Sequence, residues 1–211
     1  MAIDLPGHGA STLPLGDMHG DARHVFEVAL KIDQPIVLVG HSYGGAVITE
    51  AAHMLSLEGD IEVTHLIYIA AFVVDEGESV SGLAASLGSP PTLLAGALLP
   101  GPGSSLVLDC MLAHNALYGM CSAEVSNAAI KRLSPQPLAT LTQRATGAPW
   151  KHLPSTYVVC QRDAAVHPAD QQYMAARCTT TITLDADHSP FASMPRATAD
   201  IIAHVVNQPN R

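Results

Sequence analysis

The chain has 211 residues, 48% apolar and only 14% charged, which excludes a disordered, charge-rich protein and suits one globular domain with room for an inserted subdomain. Ten Lys and Arg stand against 19 Asp and Glu, a formal net charge of −9. That balance is the wrong sign for a surface that grips phosphates, so no nucleic-acid partner is expected.

The start, Met1-Ala2-Ile3-Asp4, lacks the positive charge and long apolar stretch of a signal peptide. Asp4-Leu5-Pro6-Gly7-His8-Gly9 follows as a loop broken by Pro and Gly. Across residues 21–32, Val25, Ala29 and Ile32 recur with charges between them, which predicts a helix. Residues 35–39 are an apolar, β-branched run, the pattern of a strand buried on both faces. Residues 44–55 read as a helix whose first turn is small: Gly44, Gly45, Ala46. Residues 63–72 read as a second buried strand. The apolar run there, residues 66–74, is nine residues long, far short of the roughly 20 a membrane span needs. Residues 156–160 and 180–184 predict two more strands, and 168–178 and 195–206 two more helices, with Pro168 suited to a first helical position. Strands alternating with helices argue for an α/β fold with a parallel sheet.

Residues 76–152 break that rhythm. They hold Gly88-Ser89-Pro90-Pro91, Pro100-Gly101-Pro102-Gly103, a helical piece at 123–133 and the single tryptophan, Trp150. The stretch is too long for a plain connection. It is expected to be a cap on a core made of residues 1–75 and 153–211, lying over the C-terminal sheet edge where open α/β sheets place their sites. Its leucine-rich segment, residues 93–99, predicts an apolar pocket. The four cysteines, at 110, 121, 160 and 178, form no Cys-x-x-Cys pair. They suggest reduced thiols in a cytoplasmic protein, with no zinc or redox site.

Gly40-His41-Ser42-Tyr43-Gly44 is a Gly-x-Ser-x-Gly pattern directly between a strand and a helix. A nucleophilic serine needs that context: a tight strand-to-helix turn lifts its hydroxyl clear of the backbone, and small flanking residues let the chain double back. The helix N-terminus behind it favours developing negative charge. A serine also needs a base, and the base an orienting acid. Asp163 follows the third strand and His188 the fourth, at the same sheet edge as Ser42 and in the order serine, acid, histidine. Asp75, after the second strand, is the alternative acid. Asp185 and Asp187 are too near His188 in sequence to orient it comfortably. His41 and His65 border strands and read as packed or surface groups, His167 as a turn residue, and His8 as a loop residue near the pocket. No His-Glu-x-x-His pair or Gly-rich phosphate loop with Lys is present, so neither a metal nor a nucleotide cofactor is expected.

On these residues the chain resembles the α/β-hydrolase superfamily, in the small-esterase branch of plant methyl esterases and salicylate-binding esterases. The resemblance is carried by Asp4-Leu5-Pro6-Gly7-His8-Gly9-Ala10-Ser11, by Leu38-Val39-Gly40-His41-Ser42-Tyr43-Gly44-Gly45, by residues 133–137, 155–163 and 171–174, and by Asp187-His188-Ser189-Pro190-Phe191. It implies Ser42 as nucleophile, His188 as base, Asp163 as acid and the Tyr43 backbone N–H as an oxyanion donor. It also implies hydrolysis of a small-molecule carboxylic ester with no cofactor; the short apolar runs already give no reason to expect a membrane partner. Hydroxynitrile lyases of the same branch place a Lys directly after the catalytic His, where this chain has Ser189. Family members carry several strands and a helix before the Asp-Leu-Pro-Gly-His-Gly loop, including a His-Gly turn that helps form the oxyanion hole. The resemblance therefore implies an N-terminally truncated fold. Residues 35–39 would be left as an apolar edge inviting self-association, with one oxyanion donor gone. The rival expectation is a non-catalytic ligand-binding or inactive protein on the same fold.

Overall fold

The computed structural model describes residues 1–58 and 61–207. The core begins with α1 (Met18–Ala29), β1 (Ile36–His41), α2 (Gly44–Glu58) and β2 (Val63–Ile69). The insertion supplies α3 (Val80–Leu87), α4 (Leu93–Ala97), β3 (Leu98–Pro100), β4 (Ser105–Leu108), α5 (Cys110–Leu117), α6 (Ala123–Ile130), β5 (Gln136–Pro137), α7 (Leu138–Thr142) and a short 3-10 turn (Pro149–Lys151). The core resumes with β6 (Ser155–Cys160), α8 (Pro168–Ala175), β7 (Thr180–Leu184), α9 (Pro190–Ser193) and α10 (Pro195–Val206).

The four core strands form one parallel sheet in the order β1-β2-β6-β7. The apolar runs determine which strands are central. Every residue of β6 is buried, as are Leu66, Ile67, Tyr68 and Ile69 of β2, whereas β7, rich in threonine, is an edge. On one face, Val25, Phe26 and Ala29 of α1 and Val47, Ile48, Ala51 and Leu55 of α2 pack against Leu38, Leu66 and Tyr68. On the other face, Val205 of α10 packs against Ile67, Ile69 and Val158. Helix α1 begins earlier than its apolar spacing suggests. Asp17 caps it by accepting the Gly20 N–H at 2.8 Å, and it closes at Ala29 because the Lys31 and Ile32 N–H groups turn back to Val28 and Ala29.

Strand β1 is the other edge. The Ile36 N–H donates to Glu62 and the Ser42 N–H to Ile69. Backbone groups alternate sides along a strand, so Val37, Val39 and His41 turn theirs away from β2, toward a side where no strand is paired among the described residues. Val39 is 41% exposed, while Ile36 and Leu38 are buried beneath the helices. The apolar edge expected for residues 35–39 is thus narrower than the run itself. A groove of about 1050 Å³ follows it, lined by Ile3, Val25, Ile32, Val37 and Val39 and ending at Gly40 and His41.

Between β2 and β6, the insertion builds a small antiparallel sheet in the order β3-β4-β5, beyond the helical piece that the sequence suggests. These strands are two to four residues long, too short for an alternating pattern to register. The neck of the insertion is tied to the core. The Trp150 indole donates to the Val74 carbonyl at 2.8 Å, and Lys151 pairs with Asp75 at 2.5 Å. The Arg177 guanidinium forks onto Glu78 at 2.5 and 2.9 Å. No helix among the described residues is long and apolar enough to cross a membrane.

Candidate active site

Strand β1 runs straight into the turn that carries Ser42. Ser42 stands at φ 54, a left-handed conformation that costs a non-glycine residue energy and is held only where the surroundings enforce it. Its N–H donates to Ile69 at 3.3 Å, and its carbonyl accepts from Phe72 at 3.0 Å and Gly45 at 3.1 Å. The flanking glycines are there for space. A Cβ at Gly40 would stand 2.5 Å from the Gly44 carbonyl oxygen, and one at Gly45 2.5 Å from the Phe72 carbonyl oxygen. Ser42 is partly exposed. Among the described residues, the Tyr43 N–H donates to no backbone carbonyl.

Asp163 and His188 sit in the loops after β6 and β7, and parallel pairing of those strands brings the loops together. His188 Nδ1 and Asp163 Oδ2 are 2.8 Å apart, and both side chains are buried. A carboxylate can only accept, so Nδ1 carries the proton, and in the neutral ring Nε2 keeps its lone pair. Asp163 is fully engaged. Its Oδ1 accepts the N–H groups of Ala165 (2.7 Å) and Val166 (2.9 Å), and its Oδ2 also accepts from the Gln171 amide at 2.8 Å. Gln171, wholly buried on α8, returns to the backbone of Cys160 at 2.8 Å. Composition and spacing do not point to this glutamine; it falls within residues 171–174, which the resemblance includes without giving it a role.

Asp75, the alternative acid, and the two aspartates near His188 have other partners. Asp75 is held by Lys151 at the insertion neck, and Asp185 pairs with Arg162 on the surface. Asp187 is buried beneath the insertion. His8 meets Ser134 of the insertion at 2.6 Å, His65 meets Thr156 at 2.9 Å, and His167 caps α8 by accepting the Ala169 N–H. His41 does more than its place beside a strand suggests. Its Nε2–H donates to the His188 carbonyl at 2.7 Å, and its ring lies 4.5 Å from that of His188 and edge-on to Phe191 at 4.9 Å. Burial first, and then the neighbouring His188, lower its pKa to about 3, so it acts as a fixed neutral donor.

Tyr43 reaches back to α1. Its phenol donates to Asp21 Oδ2 at 2.6 Å, and burial, then that bond, push the phenol above its ordinary range. Asp21 is itself buried, with Oδ1 unpaired, and burial raises its carboxyl above the ordinary 3.8. No group of three or more His, Cys, Asp or Glu able to hold a metal ion occurs among the described residues.

Residues 1–201 match the model of the family described as "Alpha/beta hydrolase family". The chain is 34% identical over 218 residues to "Alpha/beta hydrolase nvfD" of Aspergillus novofumigatus (strain IBT 16806), an alignment covering 99% of this chain and 85% of the relative. Among solved structures it is similar to a pyrethroid hydrolase from Sphingobium faniae JZ-2, at 24% identity and a TM-score of 0.82, covering 99% of this chain and 86% of that one. It is also similar to polyneuridine aldehyde esterase, at 17% identity and a TM-score of 0.83, covering 98% and 88%. At such identities the two structures speak for the fold.

Proposed function

The chain belongs to the alpha/beta hydrolase family, and from that premise we propose that it is a serine hydrolase cleaving small carboxylic esters through an acyl-enzyme. One observation carries the reading: the 2.8 Å bond from His188 Nδ1 to a fully engaged Asp163, at the sheet edge where Ser42 stands strained on its turn. In this reaction Ser42 Oγ attacks the ester carbonyl carbon while His188 Nε2 takes its proton. The oxyanion that forms is met by the Tyr43 N–H, with the N-terminus of α2 adding its dipole. The intermediate collapses, the C–O bond to the alcohol breaks, and His188 returns the proton to the departing alkoxide. Water, deprotonated by His188, then attacks the acyl carbon, and Ser42 leaves with the proton. Asp163 keeps the imidazole in one tautomer and stabilises its cationic form. The scheme uses no cofactor.

Residues 76–152 act in this reading as the cap that shapes the substrate pocket. Leucines of α4 and β3 favour small apolar or aromatic esters over polyanionic ones. The cysteines at 110, 121, 160 and 178 are all unpaired, which suits the cytoplasm. The open edge of β1 favours a second reading, a non-catalytic ligand-binding protein on the same fold, because the Tyr43 N–H is the one oxyanion donor assigned beside Ser42. The same edge is a site for self-association. Hydrolysis of a short p-nitrophenyl ester separates the two readings. The hydrolase gives turnover that Ser42→Ala abolishes with the fold intact; turnover equal in parent and variant removes Ser42 from the chemistry.

A further inference from the structure

The insertion and the His188 loop share one buried carboxylate. Asp187, immediately before His188, is 3% exposed. Its Oδ2 accepts the Met120 backbone N–H at 2.9 Å, with the Cys121 thiol 3.9 Å away. Its Oδ1 accepts the Ser193 hydroxyl at 2.6 Å. Met120 and Cys121 follow α5 in the insertion, and Ser193 ends α9. One side chain therefore joins three segments that are remote in sequence or separated by a turn. A buried carboxylate is tolerated only while donors surround it, so these segments cannot separate without leaving a charge unpaired. Asp185, two residues earlier, shows the contrast: it is exposed and pairs with Arg162 on the surface. The loop is also fixed from the β1 side, where His41 donates to the His188 carbonyl.

We propose that Asp187 is a positioning residue that makes the orientation of His188 depend on the seating of the insertion, through its bond to the Met120 N–H. The proposal rests on His188 being the base of the proposed reaction. A ligand that reseats the Met120–Cys121 turn then changes the reactivity of Ser42 without touching Ser42 or His188. The insertion becomes part of the catalytic geometry as well as a wall of the pocket.

The test uses the full chain, hydrogen–deuterium exchange by mass spectrometry, and the rate of labelling by a small fluorophosphonate. Asp187→Asn keeps the shape and removes the charge; Met120→Pro removes the donor from the insertion side, should the first variant fold poorly. Either is expected to raise exchange in peptides covering 118–122 and 185–194 together. Either should also slow labelling and lower kcat on a short ester by about tenfold, the scale of a lost hydrogen bond to a charged group, with KM changed less than about twofold. Ser193→Ala is expected to raise exchange only in 185–194. Exchange that rises in one of the two segments alone in Asp187→Asn and Met120→Pro, or in neither, overturns the coupling, as does an unchanged labelling rate in a parent that labels. A parent that does not label at all overturns the hydrolase reading instead, and the paired rise in exchange still decides the coupling.

Discussion

The two sides of the candidate site are built differently. On the β6–β7 side, Asp163 and His188 lie buried in a closed network: four donors converge on the carboxylate, Gln171 ties it to the strand, and His41 and Asp187 hold the loop. On the β1 side, Ser42 stands strained at the end of an edge strand beside an apolar groove. Asp163 and His188 are fixed by side-chain hydrogen bonds that satisfy one another, whereas Ser42 is fixed by the backbone hydrogen bonds of its turn and the close packing of glycines against backbone. Polar substitutions should therefore be felt most on the first side, and solvent or association on the second.

The largest effect should come from breaking the closed side. Asp163→Asn is expected to lower kcat on a short ester by about 10³–10⁴-fold, since the amide no longer fixes the tautomer or stabilises the imidazolium. Asp75→Asn, which loosens only the insertion neck, should stay within about threefold of the parent; steady-state kinetics of both variants checks the contrast. His41→Phe removes the donor to the His188 carbonyl while keeping an aromatic ring near Phe191. The expected cost is about tenfold in kcat with a small change in KM, read from the same assay.

The open side is sharpened by Val39→Lys, which places a charge on the exposed edge. The parent is expected to scatter light as a self-associated species and the variant to be monodisperse; equal scattering from both would remove β1 as the contact. The smallest effect is on stability. Burial raises the Asp21 carboxyl above 3.8 in the folded chain, so the fold holds that proton more tightly than the unfolded chain does. The parent therefore loses stability as pH rises from about 4 through the folded pKa, and Asp21→Asn, which has no proton to lose, escapes that loss. Melting temperatures should favour the variant more at pH 8 than at pH 4.

Much of this site is legible in the amino-acid sequence. The four core strands carry β-branched apolar runs, and the residues proposed for chemistry follow three of them. A parallel sheet puts the loops after its strands at one edge, so chain order assigns Ser42, Asp163 and His188 to the same sheet edge, and the structure pairs the last two. The remainder was hidden for definite reasons. Strands β3, β4 and β5 are too short to show a period. Gln171, Asp187 and His41 act through contacts made across the fold, and a lone Gln, Asp or His carries no spacing that announces its partners. The early start of α1 is different: the apolar spacing begins the helix at residue 21, whereas Asp17 caps it at Met18 by accepting the Gly20 N–H.

The central claim is that Ser42 is an activated nucleophile. Its most direct measurement is to treat the intact chain with a fluorophosphonate, digest it, and locate the added mass. Ser42 attack forms an O–P bond and expels fluoride, a reaction that an unactivated serine does not perform at a useful rate. One adduct per chain on Ser42, absent in His188→Ala, is the predicted result; no adduct, or one on another residue that survives His188→Ala, would contradict it.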